Sequence, residues 1–176
     1  MTCSHPIFLT GFMATGKSRI GRVLALQLDR PFYDTDEMVE MRAGKPIPRI
    51  FSEDGEDVFR QLEAECVVDA AARPDAVVAL GGGAIASSEN RATVRASGGL
   101  LICVQADVDT ILERVSRRDE RPLLAGLSKE QKREKIESML KEREPHYAMA
   151  DITLQSTETS DAEELARRLA DRLGVQ

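Results

Sequence analysis

The sequence has 176 residues, a length that against a prior of about 100–200 residues per domain gives one domain with an ordinary core. Its 30 Asp and Glu against 24 Lys and Arg leave a net charge of −6, which excludes a general affinity for nucleic acid or for an anionic membrane surface. Hydrophobic residues make up 42% of the chain and no apolar run approaches the roughly 20 residues that span a bilayer. Met1 to Pro6 also lacks the charged and apolar regions of a secretory signal, so the expected setting is the cytoplasm.

In chain order, Ile7 to Thr10 reads as a strand, followed by a glycine-rich turn and a helix over about Lys17–Leu28, where Ile20, Val23, Leu24 and Leu28 recur at helical spacing. Phe32 and Tyr33 form a short second strand ending in Asp34, Thr35 and Asp36; a helix from about Asp36 to Arg42 is stopped by Gly44 and Pro46. Another helix starts over Pro48–Ser52, and Glu56 to Ala72 reads as a long one. Ala76 to Leu80 is a buried strand with Gly81, Gly82 and Gly83 as its loop, and Ser88 is placed as the cap of a helix reaching about Ala96.

Leu100 to Val104 is the next strand and Val108 to Arg117 the helix after it. From Arg118 to Leu127 a polar loop containing Pro and Gly has the length of a mobile lid. A helix over about Lys129–Ala148, a strand over Asp151–Leu154 and a helix over about Asp161–Leu173 complete the chain. The alternation predicts an α/β fold with a five-stranded parallel sheet, helices on both faces, and any ligand at the carboxyl ends of the strands.

Gly11, Gly16, Lys17 and Ser18 satisfy the pattern Gly, four residues, Gly-Lys-Ser, between a predicted strand and a predicted helix. Glycines at both ends let the backbone turn its N–H groups inward as an anion nest, and the helix N-terminus adds partial positive charge. Lys17 then reaches the β- and γ-phosphates of a nucleotide and the Ser18 hydroxyl ligates Mg²⁺. No Asn-Lys-x-Asp segment of a guanine switch occurs. The strand over Ala76–Leu80 ends in glycines rather than the usual magnesium-organising Asp, so an acid must come from elsewhere.

Asp34 and Asp36 supply two carboxylates at the end of the second strand. One suits a metal-bound water and the other the proton of an attacking hydroxyl. A helix cap explains the same residues equally well. Arg60 and Glu63 stand three apart on one helical face, where a surface salt bridge is the simplest account. The glycine triplet lets a ligand touch backbone directly. Arg121 in the lid, and Arg143 with Tyr147 one turn apart on the helix after it, add forks suited to carboxylate or phosphate.

Charge is unevenly spread: Asp34 to Asp69 carries eleven carboxylates against four cations, whereas Arg114 to Arg143 carries ten cations against six carboxylates. Cys3, Cys66 and Cys103 are too few and too widely spaced for a disulfide framework or a zinc knuckle, and are expected as free, small core or surface residues. Two Tyr, five Phe and no Trp leave few stacking platforms for single-stranded nucleic acid.

Taken together and in order, the Gly11–Ser18 loop, Asp34-Thr35-Asp36, Ile50-Phe51, Gly55-Glu56, Phe59-Arg60, the glycine triplet, Arg121-Pro122-Leu123-Leu124, and Arg143 with Tyr147 resemble the shikimate kinases over nearly the whole chain. The resemblance implies a three-layer sandwich of the P-loop nucleoside-monophosphate-kinase type, with strand order 2-3-1-4-5, forming one kinase domain over 1–176 with a lid at about 118–127 and a shikimate-binding helical region at about 36–65. It implies transfer of the ATP γ-phosphoryl group to the 3-hydroxyl of shikimate, in chorismate and aromatic amino-acid synthesis, by a cytoplasmic monomer requiring Mg²⁺.

The resemblance assigns Asp36 to the substrate hydroxyls as base or orienter, Arg60 and Arg143 to the shikimate carboxylate, Gly82 and Gly83 to backbone approach to the ring, and Phe51 and Phe59 to the pocket wall. Gly11, Ala14, Thr15, Gly16, Lys17 and Ser18 hold the nucleotide phosphates, Arg117 stacks on adenine, and Ser18 and Asp34 serve Mg²⁺. Lys17 and Arg121 neutralise charge on the transferred group. Ala14 stands where family members commonly have Gly, Arg19 where they have a small hydroxyl residue, and Pro48 and Arg49 where a small residue and an acid are expected. A kinase for another polyhydroxy acid such as gluconate, and a nucleotide-binding module without chemistry, are the competing readings.

Overall fold

Ile7, Phe8, Leu9 and Thr10 are all buried, because this first strand has helices on both sides and cannot alternate apolar with polar residues. A computed structural model describes residues 5–117 and 124–174. In it β1 (Ile7–Thr10), β2 (Phe32–Asp34), β3 (Val77–Ala79), β4 (Leu100–Gln105) and β5 (Ile152–Gln155) form one parallel sheet in the order β2-β3-β1-β4-β5, as expected.

Side-chain alternation divides the core. Ile7 and Leu9 join Ile20 and Leu24 of α1 (Lys17–Gln27) and Leu165 and Leu169 of α8 (Ala162–Arg172) on one face. Phe8 turns to the other face, where α4 (Glu56–Ala71), α5 (Ser88–Ala96), α6 (Val108–Ser116) and α7 (Lys129–Tyr147) contribute Val67, Val94, Ile111 and Ile136. A smaller core of Val39, Ile50, Phe59 and Cys66 ties α2 (Thr35–Ala43) and α3 (Ile47–Glu53) to α4, forming a helical outwork beside the β2 edge of the sheet.

Several boundaries differ from the sequence expectation for local reasons. The cap of α5 is Ser87, whose hydroxyl accepts from the Asn90 N–H at 3.3 Å, and Ser88 is the first helical residue. The second helix begins at Thr35, so Asp36 lies inside its first turn, and Gly44 ends it at φ 68°. Pro48 sits within the first turn of α3, where a missing N–H costs no helical bond. β3 is shorter than Ala76–Leu80, although Ile7 N–H donates to the Ala76 carbonyl at 2.8 Å and Leu80 N–H to that of Leu9 at 2.9 Å.

Of the lid expected over Arg118–Leu127, residues 118–123 fall outside the described residues; Leu124, its first described residue, is buried in the α4–α7 core. Cys66 and Cys103 are buried and free, and burial pushes the Cys103 thiol up to about 11; Cys3 is outside the described residues. Among the described residues no helix is long and apolar enough to cross a membrane.

Candidate active site

Between β1 and α1 the chain makes the turn that the glycine pattern predicts. Gly11 has φ 137°, and a Cβ there would lie 2.1 Å from the Val104 carbonyl oxygen, so only glycine fits where the loop crosses β4. Ala14 takes the left-handed conformation at φ 61°, and Gly16 at φ 98° caps α1. The Thr15 hydroxyl, fully buried, donates to the Phe12 carbonyl at 2.9 Å and braces the turn. The first turn of α1 contains no acid, which leaves the positive end of its dipole for an anion.

Lys17 is buried and folds back along the loop, its ammonium donating to the carbonyls of Gly11 at 2.9 Å and Phe12 at 2.8 Å. Those bonds aim the cation across the mouth of the nest. Arg114, which sequence reading did not single out, fastens the loop from outside. Its guanidinium donates to the Ala14 carbonyl at 3.0 Å, the Ser156 hydroxyl at 3.1 Å and the Thr157 carbonyl at 2.6 Å. Its place one turn before Arg117 in the basic stretch was the available signal. Arg117 is exposed, pairs with Glu113 and, at 3.5 Å, with Glu158.

Asp34 caps α2 and also reaches the phosphate loop. Its Oδ1 accepts from the backbone N–H groups of Asp36 at 2.9 Å and Glu37 at 3.5 Å, capping α2, while its Oδ2 accepts from the Ser18 hydroxyl at 2.5 Å. Strand and loop therefore bring one hydroxyl and one carboxylate together directly beside the nest. Among the described residues no three His, Cys, Asp or Glu cluster as a metal cage. A hydroxyl with a single carboxylate is still the donor set that suits Mg²⁺, which takes few protein ligands and completes its shell with water and phosphate oxygens.

On the acceptor side the glycine triplet acts as a cradle. A Cβ on Gly83 would lie 3.0 and 3.3 Å from the two Nη atoms of Arg60 and 3.4 Å from an Nη of Arg143, so two cations from α4 and α7 converge over that residue. Arg143 donates to the Gly82 carbonyl at 3.1 Å and lies over the Phe12 ring at 5.4 Å; the Tyr147 hydroxyl donates to the same carbonyl at 2.7 Å. Burial pushes the Tyr147 phenol up to about 12, keeping it a donor. A Cβ on Gly81 would sit 2.7 Å from Asp36 Oδ1 and 2.9 Å from Glu63 Oε1, which places both carboxylates against this glycine.

The Arg60–Glu63 pair is not the surface salt bridge expected from spacing alone. Its N–O distance is 2.9 Å, but the Glu63 side chain is 2% exposed and turned inward against Gly81, while Glu56 meets Arg60 at 3.1 Å from the solvent side. Phe51 and Phe59 stack with ring centres 4.7 Å apart, and Arg60 lies over Phe59 at 5.1 Å. Phe59 is buried in the small α2–α4 core, so it supports Arg60 from beneath, while Phe51 is half-buried beside it.

A cavity of about 470 Å³ joins the two halves. Its lining takes in Ala14, Gly16, Lys17 and Ser18 of the loop, Arg114 and Arg117 at one side, and Asp34, Asp36 and Gly82 at the other. Of the expected site residues, Ala14, Gly16, Lys17, Ser18, Asp34, Asp36, Gly82 and Arg117 line this cavity and Arg143 bonds the Gly82 carbonyl, whereas Phe51, Phe59 and Arg60 are not on its lining. Arg121 lies outside the described residues.

Comparison with known proteins gives consistent matches. The family model described as shikimate kinase matches residues 13–174. A shikimate kinase of Chlorobium luteolum is 42% identical over 171 residues, covering 93% of this chain and 84% of the relative. A solved shikimate kinase from Acinetobacter baumannii, in complex with shikimate, superposes with a TM-score of 0.88 at 35% identity over 97% of this chain and 93% of that one. That from Bacteroides thetaiotaomicron gives 0.90 at 30% identity, covering 97% and 99%.

Proposed function

The chain belongs to the shikimate kinase family, and from that premise we propose how its residues divide the work of transferring the ATP γ-phosphoryl group to the 3-hydroxyl of shikimate. The observation that carries the reading is the convergence of Arg60 and Arg143 over Gly83, next to Asp36 and on the same side of the sheet as the phosphate nest. Two forked cations over a side chain-free backbone suit a small carboxylate attached to a ring, and Asp36 is then left for the hydroxyls.

In the reaction the acceptor oxygen attacks the γ-phosphorus, the bond to the β-phosphate oxygen breaks, and the hydroxyl proton passes to Asp36. The N–H groups over Gly11–Gly16 hold the phosphates, Thr15 keeps the turn rigid, and Lys17 leaves the Gly11 and Phe12 carbonyls to meet the transferred group. Ser18 and Asp34 would hold Mg²⁺, which supplies charge neutralisation on the β- and γ-phosphates. Arg117 and Arg114 face the base end of the nucleotide. Arg121 is assigned to the transferred group by family resemblance alone. One copy supplies every described group named here, which supports a monomer as the working unit.

Purified protein with MgATP and a panel of acceptors tests the reading. ADP should form with shikimate and not without acceptor. Equal turnover without acceptor, or a clear preference for gluconate, overturns it.

A further inference from the structure

The glycine triplet of the acceptor half is held a second time, from behind. Past Gly83 the chain makes a short 3₁₀ turn, Ala84–Ala86, and the N–H groups of Ala84 and Ala86 donate back to the carbonyls of Gly81 and Gly83, each at 3.0 Å. The carbonyls of the turn are taken by two neighbours on α5. Asn90, buried at 3% exposure, donates its Nδ2 to Ala84 at 3.0 Å, and Arg91 Nη1 donates to Ile85 at 2.9 Å and Ala86 at 2.7 Å.

The same Nη1 lies 3.3 Å from Nδ1 of His146 on α7. A guanidinium can only donate, so Nδ1 is the unprotonated ring nitrogen and accepts. Half-buried, Arg91 turns its charge to two carbonyls and an imidazole rather than to a carboxylate. Neither Arg91 nor His146 lines the cavity.

Arg143, His146 and Tyr147 stand three and four residues apart, on one face of the last turn of α7. All three reach the glycine triplet or the turn after it, Arg143 and Tyr147 at the Gly82 carbonyl and His146 through Arg91. Pro145 lies in the same turn of the helix and has no N–H to give to the Lys141 carbonyl, so one rung tying that turn to the rest of α7 is missing. The last turn therefore depends for its position on what it touches outside the helix.

We propose that Arg91 is a positioning residue for the acceptor site, keying the last turn of α7 to the glycine triplet through His146 so that the fork of Arg143 stands over Gly83. The inference rests on Arg143 binding the carboxylate of the acceptor. A forked contact of that kind works only when held within roughly 0.5 Å of its productive place, which is the task of bonds behind the site.

Initial rates over a shikimate series at saturating MgATP, and over an ATP series at saturating shikimate, test the link. In Arg91→Ala the KM for shikimate should rise about fivefold or more, with kcat within about twofold of wild type and the KM for ATP unmoved. His146→Ala removes the cross-link alone and should raise the shikimate KM about two- to threefold. His146→Asn, whose Oδ1 hangs from Cγ as Nδ1 does, should return it to the wild-type value. Arg91→Ala combined with His146→Ala should be no worse than Arg91→Ala, because the same bond is lost in each.

A shikimate KM at the wild-type value in Arg91→Ala or in His146→Ala overturns the proposal, as does a multiplied effect in the double variant or a failure of His146→Asn to restore the KM. A smaller active fraction with both KM values unmoved also overturns it, since a merely structural role gives no more than that. Should Arg91→Ala fail to fold, His146→Ala and His146→Asn decide. The premise is checked apart: an unmoved shikimate KM in Arg143→Lys removes Arg143 as the carboxylate ligand, whereas a KM raised by Arg143→Lys and not by Arg91→Ala overturns the link and leaves that reading of Arg143 intact.

Discussion

The two halves of the cavity are built from different material. The nucleotide half is backbone: a turn whose shape depends on positive φ at Gly11, Ala14 and Gly16, with Lys17 bonded to the carbonyls of its own loop. The acceptor half is made of side chains from segments far apart in sequence. Asp36 comes from α2, Arg60 and Glu63 from α4, and Arg143 and Tyr147 from α7, all arranged around glycines that make room and, at Gly82, lend a carbonyl. A generic anion needs only N–H groups and a dipole, whereas a particular ring needs placed forks and acids.

Breaking the acceptor half should cost turnover and spare nucleotide binding. Asp36→Asn should lower kcat by about 10²- to 10⁴-fold with ADP affinity nearly unchanged. Stopped-flow turnover beside calorimetric ADP titration would show it, and parallel losses in both would erase the distinction between the halves.

Breaking the nucleotide half should cost the fold first. In Gly11→Ala the new Cβ has nowhere to go, standing 2.1 Å from the Val104 oxygen at a φ of 137°. A loss of about 3 kcal/mol in urea unfolding is expected. Unchanged stability would mean that the loop and β4 are free to separate.

Arg143→Lys sharpens the acceptor side further. It keeps the charge but loses the planar fork that meets both the Gly82 carbonyl and the space over Gly83. A rise in KM for shikimate of about tenfold, with little change in kcat, is the expected split. A matching fall in kcat would instead place Arg143 on the transferred group.

Smaller still is the effect of Tyr147→Phe, which removes one of two donors to the Gly82 carbonyl while Arg143 retains its own bond to that oxygen. About 1 kcal/mol of stability should be lost in thermal unfolding, with a KM change of a few-fold at most.

This division also explains what could be read without coordinates. The phosphate loop was legible because its residues are contiguous, and a strand before and a helix after complete its meaning. The parallel sheet was legible from buried runs such as Ala76–Leu80 alternating with helices, whereas the strand order came with the family resemblance. Asp34 leaves cap and site unresolved in the sequence because one carboxylate has two oxygens, and here one caps α2 while the other accepts from Ser18.

Glu63 escaped because its spacing from Arg60 is that of a solvent pair. The packing of α4 on the Phe8 face of the sheet turns its side chain inward, toward Gly81. Arg114 escaped for a related reason: its partners Ala14, Ser156 and Thr157 are brought to it by tertiary structure alone. Ser87 and Ser88 both suit a cap, and the choice between neighbours is made by the backbone turn before the helix.

The finest test concerns Ala14, where this chain puts a side chain at a left-handed position, φ 61°. That conformation costs an L-residue roughly 1–2 kcal/mol relative to glycine, and glycine gives back about 0.4–1 kcal/mol through a looser unfolded chain. Ala14→Gly should therefore stabilise the protein by about 0.5–1 kcal/mol, a rise in Tm of about 1–4 °C. Arg114 should still hold the carbonyl at position 14, since it bonds backbone and not side chain. The KM for ATP should then stay near wild type. A higher Tm with unchanged KM would locate the effect of Ala14 in folding strain alone; a lower KM would show that the methyl group stiffens the nest against its phosphates, and that side chains as well as backbone tune the nucleotide half.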